Sequence, residues 1–219
     1  MQKLVGALRE LRCLLSKSEF PPVDAALKAG AIALLVQCLS FGSPDEQLLE
    51  AAWSLTNIAA GKSEETKALL PALPLFIAHL GEKSSFPVAA QCARALEKFA
   101  VVGEELRSVL LSQGALPPLA RMMLPYKGST VRTAAWALMN SFCIYGPDPK
   151  AATKLIRVDG VLDAILWHSR KASDPYDQSH KKDKELTNEV AWVVVYLSAF
   201  SDVATSMLVK SDALQLLVQ

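Results

Sequence analysis

The stretch EAAWSLTNIAAGKSEETK, residues 50–67, decides the fold, because its two halves point to different kinds of protein. Its GKS segment is similar to the end of a phosphate-binding loop. Such a loop needs glycine where Thr56 stands, and it follows a β-strand. The preceding residues are instead rich in Ala and Leu at helical spacing, without the alternation of a strand. We therefore interpret the stretch as helical and reject a nucleotide-binding loop.

The residues around this helix predict where it begins and ends. Ser43, Pro44 and Glu46 combine an N-cap serine, a first-turn proline and a capping-box glutamate, so the helix should begin at Pro44. Gly61 stands where a left-handed glycine commonly ends a helix. Ser63 suits the N-cap of a following helix, because two glutamates occupy its first turn.

The context of Trp53 recurs along the chain. AAWSLTN, QCARALEK, AAWALMN and EVAWVVVYLS place Trp53, Arg94, Trp136 and Trp192 at equivalent positions, with spacings of 41, 42 and 56 residues. A period of about 42 residues is typical of proteins built from stacked helical repeats. The sequence therefore predicts an almost purely α-helical solenoid.

A second recurring motif divides this solenoid into units. Its equivalent residues are Gly30, Pro71, Gly114, Gly160 and Asp212. We expect one domain, 1–219, with about four full repeats and partial repeats at both ends: units 1–29, 30–70, 71–113, 114–159, 160–211 and a truncated 212–219. The fifth unit is longer, and we assign the excess to a polar surface loop at 169–185.

Composition and charge limit the kinds of partner. Lys and Arg total 23 against 22 Asp and Glu, so no long-range field attracts nucleic acid or an anionic membrane. No apolar run reaches the roughly 20 residues that cross a bilayer, and the N-terminus does not resemble a signal peptide. The four cysteines form no C-x-x-C pair, and the three histidines lack metal-ligand spacing. We expect a soluble intracellular protein with reduced, buried thiols, no metal, no cofactor and no enzymatic activity.

Trp53 and Asn57 should lie on one helix face, because residues four apart point the same way. The pair returns in two later units, as Trp136 with Asn140 and as Trp192 with Tyr196. Stacked repeats would align these pairs, so that asparagine amides bind a peptide backbone and indole faces hold Lys or Arg side chains. The alternative, that the tryptophans are only core, does not explain asparagine on the same face, since an unpaired buried amide costs about 1–3 kcal/mol.

Three segments carry a family resemblance. LLEAAWSLTNIAAGKSEETKALLPALPLFIAHL, VRTAAWALMNSFC and EVAWVVVYLS resemble armadillo repeats of importin α, the adaptor that binds nuclear localisation signals, and the resemblance covers nearly the whole chain. It implies a right-handed armadillo solenoid, located in the cytoplasm or nucleus, whose concave groove binds extended basic or mixed-charge peptides. By position it also implies that Gly61 and Thr66 contact a critical lysine of the peptide. Glu50 and Glu189, each three residues before a tryptophan, would attract basic side chains.

The third unit departs from this family pattern. Arg94 and Lys98 replace its Trp-Asn pair, and Val102 replaces an acidic partner of the critical lysine. Two cations should weaken binding of ordinary basic signals. They would either accept an acidic residue of the peptide or pair locally, for example with Glu97.

Two features at the ends of the chain leave an alternative function open. The family's basic N-terminal segment, which engages importin β, is not seen, and SDALQLLVQ opens a repeat without finishing it. An uncapped repeat predicts self-association or a partner at that end. The alternative is thus a scaffold that uses this end or the convex face, with no transport role. Membrane association is expected only if the protein continues beyond residue 219.

Overall fold

A computed structural model describes residues 2–17, 19–81, 83–123, 129–139, 149–173 and 184–218. Within these ranges all regular structure is helical, as the sequence predicts. The α-helices are α1 (Gln2–Leu15), α2 (Val23–Lys28), α3 (Ala31–Cys38), α4 (Asp45–Ala59), α5 (Ser63–Lys67), α6 (Leu73–Ala78), α7 (Phe86–Val102), α8 (Glu104–Ser112), α9 (Leu116–Met122), α10 (Ser129–Met139), α11 (Pro149–Ile156), α12 (Val161–Ser173), α13 (Lys184–Phe200), α14 (Asp202–Val209) and α15 (Ala213–Val218). A short 3-10 turn at Leu70–Ala72 precedes α6.

The helix that carries Trp53 is α4, and it begins one residue after the predicted start. Pro44 occupies the N-cap position, and Ser43 makes no capping bond to the backbone. The Ser43 hydroxyl accepts a hydrogen bond from Gln47 Nε2 at 3.0 Å, while the Glu46 carboxylate forms an ion pair with Arg9 of α1. The predicted capping box is therefore wrong, because both of its side chains bind other partners.

Gly61 follows α4 but does not adopt the left-handed conformation that the sequence predicts. Positive φ angles occur instead at other glycines, including Gly30 and Gly114 of the recurring motif. A Cβ atom at Gly61 would instead clash with the Glu65 carboxylate, which would have to move. The Oε2 atom of that carboxylate accepts a hydrogen bond from the backbone N–H of Lys62 at 2.6 Å. Lys62, and not Ser63, is the N-cap of α5.

The chain forms two compact units, residues 1–106 and 107–219. In the first unit, α4 packs between α1 and α7, and α3 and α6 close the core beneath them. The largest fully buried side chains of this core include Phe76, Phe99 and Leu55. Burial of each contributes about 1.5–3 kcal/mol relative to an exposed side chain. This core supports α1, α4 and α7, the helices on which the candidate site lies.

In the second unit, α10 packs against α9 and α13, and α13 also contacts α12 and α14. Ala134 and Ala135 are fully buried, and their small side chains let α10 approach its neighbours closely. Both ends of the predicted loop 169–185 are helical, because α12 continues to Ser173 and α13 begins at Lys184. Ser169, the first residue of that segment, is buried within α12. Residues 174–183 lie outside the described ranges.

Two buried histidines connect successive repeats. His79 Nε2 lies 2.6 Å from the carbonyl oxygen of Leu39, 40 residues earlier in the chain. His168 Nε2 lies 2.8 Å from the carbonyl oxygen of Met123, 45 residues earlier. His79 also lies 2.7 Å from the Ser84 hydroxyl. His79, the C-cap residue of α6, therefore contacts the C-cap residue of α3.

Candidate peptide-binding surface

Trp53 and Asn57 lie on the side of α4 that contacts α1. The Arg12 guanidinium sits over the indole ring, 4.5 Å from its centroid. Asn57 Nδ2 donates to the Ser16 hydroxyl at 2.8 Å and more weakly to the Arg12 carbonyl at 3.4 Å. Ser16 and Asn57 are 41 residues apart, and so are Arg12 and Trp53. The sequence period thus appears as direct contact between equivalent positions of neighbouring helices.

Glu50 lies one turn before Trp53 and is only 6% exposed. Its two carboxylate oxygens accept hydrogen bonds from Arg9 Nε at 3.0 Å and Arg12 Nε at 2.6 Å. The hydrogen bond to Glu50, followed by that to Glu46, raises the pKa of Arg9. The sequence predicts that Glu50 attracts a basic side chain. In the structure α1 supplies two of them.

Thr66 joins the end of α4 to α5. Its side chain is fully buried, and its hydroxyl donates to the carbonyl oxygens of Ala59 at 2.9 Å and Lys62 at 3.3 Å. Gly61 lies beside it and is exposed. These bonds give Thr66 a structural role, and the contact of Gly61 and Thr66 with a peptide lysine stays a prediction.

Arg94 and Lys98 lie on α7, which packs against α4 through a hydrogen bond from Thr56 Oγ1 to the Gln91 carbonyl at 3.1 Å. Lys98 Nζ pairs with Glu97 Oε1 at 3.1 Å. Arg94 is exposed and makes no hydrogen bond or ion pair with any residue in the described ranges. Local pairing therefore accounts for Lys98 and leaves the Arg94 charge available.

In the second unit, Trp136 on α10 is 37% exposed and Trp192 on α13 is 60% exposed. Tyr196 is buried and packs its ring against Phe200, with ring centroids 5.0 Å apart. Tyr196 therefore does not expose its ring one turn after Trp192, because the ring packs inside the unit. Glu189 is half-buried on the same helix, and Asn140 lies outside the described residues.

Arg12 and Ser16 are the residues of this surface that sequence reasoning misses. Both lie 41 residues before the Trp53-Asn57 pair, so extending the period toward the N-terminus would have found them. The signal is weak because neither residue type matches the Trp-Asn pattern. Only the contacts in the structure show that α1 continues the series of helices.

Among the residues that the structure describes, neither metal-binding groups nor thiols mark a second site. In the ranges that the structure covers, no three His, Cys, Asp or Glu side chains lie close enough to share a metal ion. Cys13, Cys38 and Cys92 are free thiols. Burial raises the pKa of Cys38 and Cys92, whereas Cys13 is exposed, contrary to the prediction of buried thiols. The described helices include none that is both long and apolar enough to cross a membrane.

Comparisons with known proteins show which proteins the chain resembles. The family model for the armadillo/β-catenin-like repeat matches residues 20–60, the segment that contains α4. The chain is 70% identical over 218 residues to importin subunit alpha-9 of Arabidopsis thaliana, a match that covers 100% of the chain. It is 62% identical over 217 residues to importin subunit alpha-2 of Oryza sativa subsp. japonica, covering 99% of the chain. The chain is an importin-α-like armadillo-repeat protein.

This importin-α-like chain spans 40% and 39% of the length of those two relatives. The sequence pattern also suggests transmembrane and coiled-coil domain-containing protein 6 as the nearest named relative. That suggestion is not supported, since the relatives found are importin α subunits.

Solved structures confirm the armadillo solenoid fold of the importin-α-like chain. A designed armadillo repeat protein in complex with the peptide (KR)4 matches with a TM-score of 0.77 and 25% identity, covering 98% of this chain and 84% of that one. A computationally designed armadillo repeat protein for modular peptide recognition matches with a TM-score of 0.80 and 24% identity, covering 99% and 84%.

Proposed function

We propose that the importin-α-like chain is a peptide-binding module of a nuclear import adaptor and acts in the cytoplasm and nucleus. The observation that carries the proposal is the Trp53-Asn57 pair, which stands with Arg12 and Ser16 on one face of α1 and α4. The 70% identity to an importin α subunit over the whole chain supports the same function. No enzymatic step and no cofactor is part of this proposal.

The exposed indoles supply the affinity. Trp136 and Trp192 present large apolar surfaces to solvent, and Trp53 is half-buried beneath Arg12. A lysine or arginine stem packed on such a ring gains about 0.5–2 kcal/mol. The designed protein that binds the peptide (KR)4 has the same fold at 25% identity, which supports an extended basic ligand.

Asn57 supplies the orientation. Its amide donates to the Ser16 hydroxyl, which is exposed, so a peptide carbonyl can replace that partner at little net cost. The exchange leaves no buried group unpaired, because water reaches Ser16. Binding then needs only a side-chain adjustment and no movement of α4.

The proposal is tested by fluorescence anisotropy with a labelled peptide of alternating lysine and arginine. Trp53→Ala and Trp192→Ala should each weaken binding about 2- to 30-fold, which corresponds to the energy of a cation–π contact. Phe20→Ala is the matched control, because Phe20 is 90% exposed and lies outside the repeated Trp positions. Binding that is unchanged by both Trp substitutions would overturn the proposal and favour the scaffold alternative.

A further inference from the structure

The charges around Trp53 are mostly neutralised within the chain. Glu50 is shared by Arg9 and Arg12, and Arg9 also binds Glu46. A cationic peptide side chain would therefore meet carboxylates that already have partners. The carboxylates in these contacts are all paired. They therefore leave no free negative charge beside the surface formed by Arg12, Trp53, Asn57, Arg94 and Lys98.

Arg94 is the exception on the positive side. It stands 41 residues after Trp53, at the equivalent position of the next packed helix. Lys98 is held by Glu97, whereas Arg94 is exposed and has no such partner in the part of the chain that the structure covers. In the importin-α family this position helps to form a slot for a basic side chain of the peptide. Here the guanidinium of Arg94, unpaired within the described ranges, borders that slot.

From this geometry we infer that Arg94 selects an aspartate or glutamate in the bound peptide. The inference rests on the proposed function and names the ligand class of that surface, a mixed-charge peptide. A guanidinium binds a carboxylate through two parallel hydrogen bonds, and its charge repels lysine or arginine at the same place. Arg94 is therefore a specificity-determining residue, and Lys98 contributes less because Glu97 offsets its charge.

Helix packing sets the position of the acidic residue in the peptide. Packed helices lie about 8–10 Å apart, and an extended chain rises about 3.3 Å per residue. The acidic side chain should therefore stand two or three residues from the peptide residue whose backbone binds Asn57. It lies on the α7 side of Trp53, because α1 occupies the other side.

A positional scan tests the inference. The probe is the labelled alternating lysine-arginine peptide, with a single glutamate placed at each position in turn, and binding is measured by anisotropy. We expect one position at which glutamate binds about 5- to 30-fold more tightly than lysine. Arg94→Glu should reverse that preference, and Arg94→Trp with Lys98→Asn should abolish it and strengthen binding of the parent basic peptide.

Lys28→Glu is the control variant, since Lys28 is exposed on α2 and the substitution changes the net charge as Arg94→Glu does. It should keep the wild-type preference. Circular dichroism establishes that the variants are folded. A flat scan, or a preference that Lys28→Glu changes as strongly as Arg94→Glu, overturns the inference.

Trp53→Ala is measured beside this series to separate the two proposals. If binding depends on Trp53 but shows no preference for glutamate, the inference that Arg94 selects an acidic residue is wrong, and the proposed peptide-binding function stands. If Trp53→Ala has no effect, or no peptide binds, both proposals fail.

Discussion

Glu50 has partners within the chain that its position in the sequence does not predict, and its role toward a peptide stays a prediction. Its spacing before Trp53 predicts that it attracts a basic side chain, and it does so, but with Arg9 and Arg12 of the same chain. Sequence alone could place Trp53 and Asn57 on one face, because that follows from helix geometry. It could not predict that Thr66 is buried or that Lys98 pairs with Glu97, since these depend on the packing of neighbouring turns.

Loss of the Glu50 carboxylate should destabilise the first unit. Glu50→Ala leaves two arginines without their shared, nearly buried partner, so we expect a loss of about 1–3 kcal/mol in the free energy of unfolding, measured by urea denaturation. The exposed side of Arg9 limits the loss. Glu19→Ala is the control, because Glu19 is exposed, and it should change stability by less than about 0.5 kcal/mol. Equal effects of the two substitutions would contradict the ion-pair assignment.

Thiol labelling provides a second test at this scale. Cys13 is exposed, whereas burial raises the pKa of Cys38 and Cys92 and leaves less of the reactive thiolate at a given pH. At pH 8 a thiol reagent should modify Cys13 rapidly and the other two only after unfolding. Mass spectrometry of the digested protein distinguishes the sites. Early labelling of Cys92 would contradict the burial of this side chain on α7.

Helices were predicted from the sequence more reliably than the interactions that end them. The start of α4 was predicted to within one residue, because Pro44 and the acidic first turn are local signals. The capping by Ser43 and the left-handed Gly61 were wrong, since Glu46 binds α1 and Gly61 makes room for Glu65. Both errors arise because a partner distant in the sequence, or the next helix, determines the end of an element.

A double substitution tests the role of Gly61. Gly61→Ala places a methyl group against Glu65, so the carboxylate must leave the Lys62 N–H, and we expect a loss of about 1 kcal/mol, typical of a lost helix cap. In a Glu65→Ala background the same substitution should cost less than half as much, because the clash and the cap are both gone. Thermal or urea unfolding measures the four stabilities. Additive costs would exclude the proposed contact.

The histidine contact between repeats can be tested at His79. His79→Leu keeps a side chain of similar size but leaves the buried Leu39 carbonyl without its donor, so we expect a loss of about 1–3 kcal/mol. His79→Gln retains an N–H donor and should lose less. Denaturant titration of both variants gives the comparison, and equal losses would mean that packing, and not the hydrogen bond, accounts for the role of His79.

At the scale of the whole molecule, the repeat period was sufficient to predict a helical solenoid, and the resemblance to importin α implied the armadillo fold. Gly30, Gly114 and Gly160 of the unit motif share positive φ angles. The predicted units themselves stay a prediction. The division into residues 1–106 and 107–219 was not foreseen, because the period and the composition continue across that boundary. Likewise, nothing in the spacing distinguishes the buried Tyr196 from the exposed Trp192.

The four tryptophans allow the central claim, peptide binding along the repeated Trp positions, to be tested in one measurement. Trp53, Trp136 and Trp192 occupy those positions, and Trp167 lies on α12 outside them. Carbene or hydroxyl-radical footprinting with and without a mixed lysine, arginine and glutamate peptide reports the protection of each indole. We predict protection of Trp53, Trp136 and Trp192 with Trp167 unchanged. Bound peptide that leaves the first three unprotected, or protects Trp167 alone, would contradict the account.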